Sequence, residues 1–317
     1  MIITVTLNPA LDKTARVDVV RANALNRLRD VTLDAGGKGV NVSALIRSLG
    51  GESIAVGFWG GGAGKELQSL IAKRGLKSDF VRIAAVTRTN LKVVADDGGL
   101  TEFNEPGPRI DPDEWRELEE KLSGYGIKGN TVVLSGSLPA GLGQDTYKKL
   151  SVMLRRAGAA VFLDADGEAL RYALESGPEG VPDYLKPNRY ELLQYFGIPD
   201  DEGVTETKLA DLCRALIGKG LKLVVLSLGE AGAIFANGNG IWRAPAVPVQ
   251  VRSTVGAGDS MIGALAYGFE QGLPEERCFA LAMAASAGTC TTEGTNPPLR
   301  ALVDTLLTQV RIEKIAG

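Results

Sequence analysis

Five short runs along this chain are apolar almost without interruption: IITVTL (2–7), SIAVGF (53–58), TVVLSG (131–136), AVFLD (160–164) and KLVVLSLG (222–229). They are rich in β-branched residues and lack the polar alternation of a half-exposed strand, so they predict strands covered on both faces. Between several of them the spacing turns helical. NVSALIRSLG (41–50) and AGKELQSLIAKRG (63–75) both stop on glycine, and DPDEWRELEEKLSG (111–124) opens on a capping Asp111. Strands alternating with helices predict an α/β fold around a mainly parallel, doubly wound sheet, with ligands at the carboxyl ends of its strands. Two stretches break the rhythm. Residues 12–34 and 87–105, the latter with a turn at Asp97-Gly98, read as antiparallel strands outside the main sheet, forming a small β lid. No internal repeat or low-complexity linker appears, so residues 1–317 are expected to form one domain carrying that lid.

Composition narrows the function more by what it lacks. A formal net charge of −3 gives no basic footprint, so nucleic acid is not an expected partner. No stretch approaches the roughly 20 apolar residues of a membrane helix, and the opening MIITVTLNPALDK lacks the basic start and the long apolar run expected of a signal peptide. The cysteines, Cys213, Cys278 and Cys290, are far apart and form no CxxC pair, which fits a reducing cytoplasm rather than a disulfide framework. Histidine is absent altogether. That removes Ser-His-Asp and Cys-His catalysis and most transition-metal sites, and leaves carboxylate, Lys, Tyr or thiol to move any proton.

Several glycine-rich turns carry candidate chemistry. WGGGAGKEL (59–67) imitates a phosphate-binding P-loop, but Trp59 and Glu66 stand where that pattern needs Gly and a hydroxyl residue, so a tight turn before a helix is expected. AGGKGVN (35–41) sets Gly36, Gly37, Lys38 and Gly39 at a helix start, with Asn41 in the first turn. The unpaired amides of such a terminus suit anions, and Asn41 can donate to and accept from a sugar hydroxyl. TLNPALDKT (6–14) offers Asp12 just past the first strand, either as a ligand for hydroxyls or as a turn residue. SGSLPAG (135–141) closes another strand with Ser137. LKPNRYEL (185–192) groups Lys186, Asn188 and Glu191. Lysine there suits phosphate, Asn188 and Glu191 suit Mg²⁺, and helix capping by Asn188 competes with that reading. VVLSLGEAGAIFA (224–236) reads as strand, glycine turn, strand, with Ser227, Gly229 and Gly232 placed to follow a phosphate chain. Finally, STVGAGDS (253–260) puts Gly256, Ala257 and Gly258 before Asp259 at the start of a helix whose apolar residues recur at Met261, Ile262, Leu265 and Phe269.

Taken together and in this order, the motifs resemble the ribokinase-like (PfkB) family of carbohydrate kinases over essentially the whole chain. AGGKGVN is similar to the family's N-terminal glycine signature, and STVGAGDS to its C-terminal one. The resemblance implies a three-layer α/β/α fold, with ATP and Mg²⁺ lying across the strand ends. It implies Asp259 as the base and Gly256, Ala257 and Gly258 as the anion hole. Lys186, Asn188, Ser227, Gly229, Gly232 and Thr254 would face ATP, with Met283 and Ser286 near the adenine and Glu191 with Asn188 near the metal. TLNPALDKT, TRTNLKV, TEFNEPGP, SGSLPAG and LDADGEAL look most like the phosphosugar branch of the family. That branch implies a phosphorylated ketohexose bound by Asp12, Gly37, Asn41 and Ser137. Arg88 would hold its phosphate, with Lys38 and Arg27 as further cations, and a homodimer would form through the lid. A catalytically silent sugar-phosphate or nucleotide sensor on the same fold would be expected to have lost the Asp259 motif, which here is intact.

Overall fold

A computed structural model describes residues 1–316 of the chain. It begins with β1 (Ile2–Thr6), β2 (Ala10–Val17), β3 (Arg29–Gly36), α1 (Lys38–Ser48), β4 (Ser53–Trp59), α2 (Gly61–Lys73), β5 (Lys77–Ser78) and β6 (Val81–Arg82). It continues through β7 (Arg88–Ala95), β8 (Leu100–Asn104), α3 (Pro112–Tyr125), β9 (Thr131–Ser135), α4 (Thr146–Arg156), β10 (Ala160–Asp164), α5 (Gly167–Leu174), β11 (Tyr184–Leu185) and α6 (Arg189–Phe196). The remainder is α7 (Glu206–Ile217), β12 (Leu223–Ser227), β13 (Ala233–Asn237), β14 (Gly240–Ala244), α8 (Ala257–Glu270), α9 (Glu275–Cys290), α10 (Arg300–Leu307) and β15 (Glu313–Ala316). All five apolar runs of the sequence are strands of one large sheet, ordered β15-β14-β13-β12-β11-β10-β9-β1-β4-β5, with β6 also on β4. From β12 to β5 the neighbours are parallel; beyond β12 the sheet continues antiparallel.

Both faces of this sheet are covered, which is why its strands read as continuous apolar runs. Alternate residues of β1 divide between the two cores: Ile3 and Val5 pack with α3 to α7, and Ile2 packs with α1, α8, α9 and α10. The fold is thus a three-layer α/β/α sandwich. The chain leaves β1 for β4 on one side and later returns to β9 on the other, so a crevice opens at the carboxyl ends of β1 and β9. No described helix is long and apolar enough to cross a membrane.

The two sequence segments outside the rhythm form a separate four-stranded sheet, ordered β3-β2-β7-β8. β2 and β3 are antiparallel, as are β7 and β8, but β2 and β7 run parallel. The parallel pairing arises because β2 follows β1 and β7 follows β6, so both segments leave the main sheet from its carboxyl ends. Side chains in this small sheet alternate, with Asp12, Asn90 and Lys92 on one face and Leu33, Leu91, Val93 and Phe103 on the other.

Candidate active site

The GAGD turn is the start of α8. Gly256 is its N-cap at φ 81°, a left-handed conformation that glycine adopts without a steric penalty. The Ala257 amide reaches back to the Thr254 carbonyl at 3.3 Å. The amides of Gly256, Gly258 and Asp259 have no acceptor among the described residues, so three donors and the positive end of the helix dipole are left for a ligand. Asp259 sits in this first turn, 7% exposed, and its Oδ2 accepts from Asn41 Nδ2 of α1 at 2.8 Å. Burial, with the nearby Asp164 carboxylate adding to it, pushes the Asp259 carboxyl up to about 6; the Asn41 hydrogen bond, Lys38 and Lys186 pull the other way.

Asp164 ends β10 and is almost wholly buried. Lys38 Nζ lies 3.3 Å from its Oδ2 and Lys186 Nζ lies 3.4 Å from its Oδ1, so one carboxylate holds two ammonium groups. Burial alone would raise the Asp164 carboxyl, but the two lysines outweigh it and hold the group below its ordinary value. Burial likewise acts to lower the Lys38 ammonium, while the carboxylates of Asp164, Asp259 and Glu191 hold it above the ordinary lysine value. A Cβ built on Gly258 would stand 3.1 Å from Lys186 Nζ, which places that ammonium against the open end of α8.

On the lid side, Asp12 accepts from Asn90 Nδ2 and from Lys92 Nζ, both at 3.0 Å. Gly36 lies against the same carboxylate, since a Cβ there would meet Asp12 Cγ at 2.5 Å. Arg88 donates to the Asn8 and Glu105 carbonyls, each at 3.0 Å, but no carboxylate lies within ion-pair distance of it among the described residues. Burial pushes the Arg88 guanidinium below its usual value. Asn8 Nδ2 donates to the Pro106 carbonyl at 3.0 Å and to Ser137 Oγ at 3.1 Å. Around these groups several buried polar atoms have no partner: Thr6 Oγ1, Asn8 Oδ1, Asn41 Oδ1, Arg88 Nε and Asn90 Oδ1. Unpaired buried polar atoms are costly, so such a group of them is expected where a polar ligand binds.

The profile of the pfkB family carbohydrate kinases matches residues 5–302. The chain belongs to the pfkB family of carbohydrate kinases. It is 39% identical to a 1-phosphofructokinase of Xanthomonas campestris pv. campestris over 90% of this chain and 89% of that one. A 1-phosphofructokinase of Borreliella burgdorferi is 35% identical over 99% of both chains. Among solved structures, phosphofructokinase-2 from Escherichia coli in complex with substrates and products superposes with a TM-score of 0.91 at 29% identity, over 97% of this chain and 98% of that one. The same protein has also been solved in a tetrameric inhibited form.

As a pfkB kinase the chain is a phosphotransferase, and its sequence-predicted residues fall into three places. Asn41 and Asp259 meet directly, and Lys38 and Lys186 meet over Asp164. A cleft of about 710 Å³ on the other side of the α8 terminus is lined by Asn188, Ser227, Gly229, Gly232, Thr254, Ala257, Gly258, Met283 and Ser286. Asn188 and Glu191 do cap α6: Asn188 Oδ1 accepts from the Glu191 amide, and Glu191 Oε2 accepts from the Asn188 amide, both at 2.8 Å. Burial raises the Glu191 carboxyl. Arg27 stands apart. It is exposed in the segment between β2 and β3 and makes no ion pair or side-chain hydrogen bond among the described residues. The GKEL stretch is the start of α2, where the Gly60 amide is tied to Thr87 Oγ1 at 2.9 Å. Reading the sequence for site residues passed over Asp164, Asn8, Asn90 and Lys92. The strand-ending position of Asp164 in AVFLD was the available signal for it; the other three depend on partners far along the chain.

Proposed function

We propose that this kinase transfers the γ-phosphoryl group of ATP to fructose 1-phosphate, giving fructose 1,6-bisphosphate and ADP. The observation that carries this reading is Arg88. A partly buried guanidinium with no carboxylate partner and an unpaired Nε is poised for an anion, and its planar fork matches a phosphate. The unpaired oxygens of Asn8, Asn41 and Asn90 suit sugar hydroxyls, and the 1-phosphofructokinase relatives favour the 1-phosphate.

In this mechanism the acceptor hydroxyl gives its proton to Asp259 as its oxygen attacks the γ-phosphorus, and ADP leaves on the opposite side. The amides of Gly258 and Asp259, together with Lys186 and Lys38, stabilise the oxygens of the migrating group. The adenosine end of ATP lies in the cleft along Gly229, Gly232, Met283 and Ser286. A divalent cation such as Mg²⁺ would neutralise charge on the phosphates during transfer. Among the described residues no three His, Cys, Asp or Glu side chains cluster to hold a metal. Glu191 Oε1, the oxygen not used in capping, would therefore share the cation with phosphate oxygens and water.

We place the enzyme in the cytoplasm, which suits its three free cysteines, and infer a homodimer. The lid's outer face exposes Val31, Leu33 and Phe103, with Leu91 between, an apolar surface fit for a second copy. The test is a panel of fructose 1-phosphate, fructose 6-phosphate, tagatose 6-phosphate and free fructose with coupled ADP detection. Fructose 1-phosphate should have the highest kcat/KM, and Arg88→Ala should raise its KM sharply while leaving the KM for ATP nearly unchanged. Preference for a 6-phosphate, or indifference to Arg88→Ala, would sink the assignment.

A further inference from the structure

A carboxylate is an awkward neighbour for a phosphorylated substrate. Asp12 faces the crevice from the lid, on the same face of the small sheet as Arg88, and like charges brought together where water is scarce oppose binding. Lys92 resolves the conflict. Arg88, Asn90 and Lys92 alternate along β7, so their side chains leave one face of the strand. Lys92 stands opposite Thr14 in the register yet reaches diagonally to Asp12, with both side chains about nine-tenths buried. Its cross-strand neighbour on β8, Glu102, is exposed and forms no ion pair with it. The Lys92 charge is therefore committed to Asp12.

We propose that Lys92 is a positioning residue that determines specificity for phosphorylated acceptors. By neutralising Asp12 and fixing its carboxylate against Gly36, it lets Asp12 accept from sugar hydroxyls while Arg88 receives the phosphate. Without Lys92, Asp12 would offset the Arg88 charge and the pocket would lose its preference for a dianion. The inference rests on the phosphosugar reading and deepens it.

Lys92→Met, Lys92→Gln and Lys92→Arg test it, with steady-state kinetics for both substrates and thermal melts with and without fructose 1-phosphate. Wild-type turnover of the phosphosugar panel is measured first and judges the substrate reading by itself. The variants are then assayed with whichever phosphoketohexose the wild type uses. Lys92→Met should raise the KM for that acceptor by about tenfold or more, leave the KM for ATP within about twofold, and lower kcat far less than it raises KM. Lys92→Arg, which keeps the charge, should recover most of the lost affinity. Should Lys92→Met fail to fold, Lys92→Gln is read by the same criteria. A parallel change in kcat, both KM values and melting temperature, or no rescue by Lys92→Arg, would mean Lys92 only holds the lid together and would overturn the proposal.

Discussion

An ionised Asp259 is costly to this fold, because burial and the Asp164 carboxylate both favour its protonated form. Raised from 3.8 to about 6, the folded-state pKa means that the native protein binds more protons than the unfolded chain between those values. Stability therefore falls as pH rises through that window, by about 3 kcal/mol for a shift of this size. Asp259→Asn should abolish most turnover, with kcat down roughly 10²- to 10⁴-fold. It should also melt higher than the wild type at pH 7.5, with the gap narrowing below pH 6. Equal melting curves at both pH values would refute the cost assigned to the charge. The same carboxyl predicts an acid limb near pH 6 in the kcat/KM profile, because only its ionised form can take the proton. Asp164→Asn removes a like charge and releases Lys38 and Lys186, so the limb should move to lower pH even as activity drops. An upward shift would count against Asp164 as a cause. Asp259 and its glycines were legible in the sequence because they are contiguous. Asp164, Asn8 and Lys92 were not, since each acquires its meaning from a partner across the fold.

At the level of elements, the α8 terminus shows how a glycine can serve chemistry rather than backbone freedom. Gly258 is helical, and its missing side chain leaves room for Lys186 Nζ. Gly258→Ala should stabilise the isolated helix by up to about 1 kcal/mol through propensity, yet push the ammonium off the terminus. The expected result is lower kcat, a raised KM for ATP and an unchanged or higher melting temperature; lost stability with normal kinetics would contradict it. Long apolar strands and glycine-bounded helices were readable from pattern, down to boundaries within a few residues. The two-residue strands β5, β6 and β11 were not, because two residues carry no period, and the parallel pairing of β2 with β7 depends on where distant segments leave the main sheet. The capping sense of the run at Asn188 was legible, since the capping box is present, and Asn188 also lines the cleft.

For the whole molecule the lid matters most. Its four strands form a sheet of their own with a polar face toward the crevice, and Val31, Leu33 and Phe103 remain 47%, 40% and 56% exposed on the other. Phe103→Glu or Leu33→Glu should convert a dimer into monomers by light scattering; wild-type protein already monomeric at micromolar concentration would exclude this interface. A small sheet gains its stability from packing its hydrophobic face. In the proposed dimer, order in the strands that carry Asp12, Arg88 and Lys92 would depend on how many copies of the protein are present. Specific activity should then decline on dilution and recover, after a lag, on reconcentration, which would make the catalyst's abundance one of its own activators; activity independent of concentration would exclude this coupling.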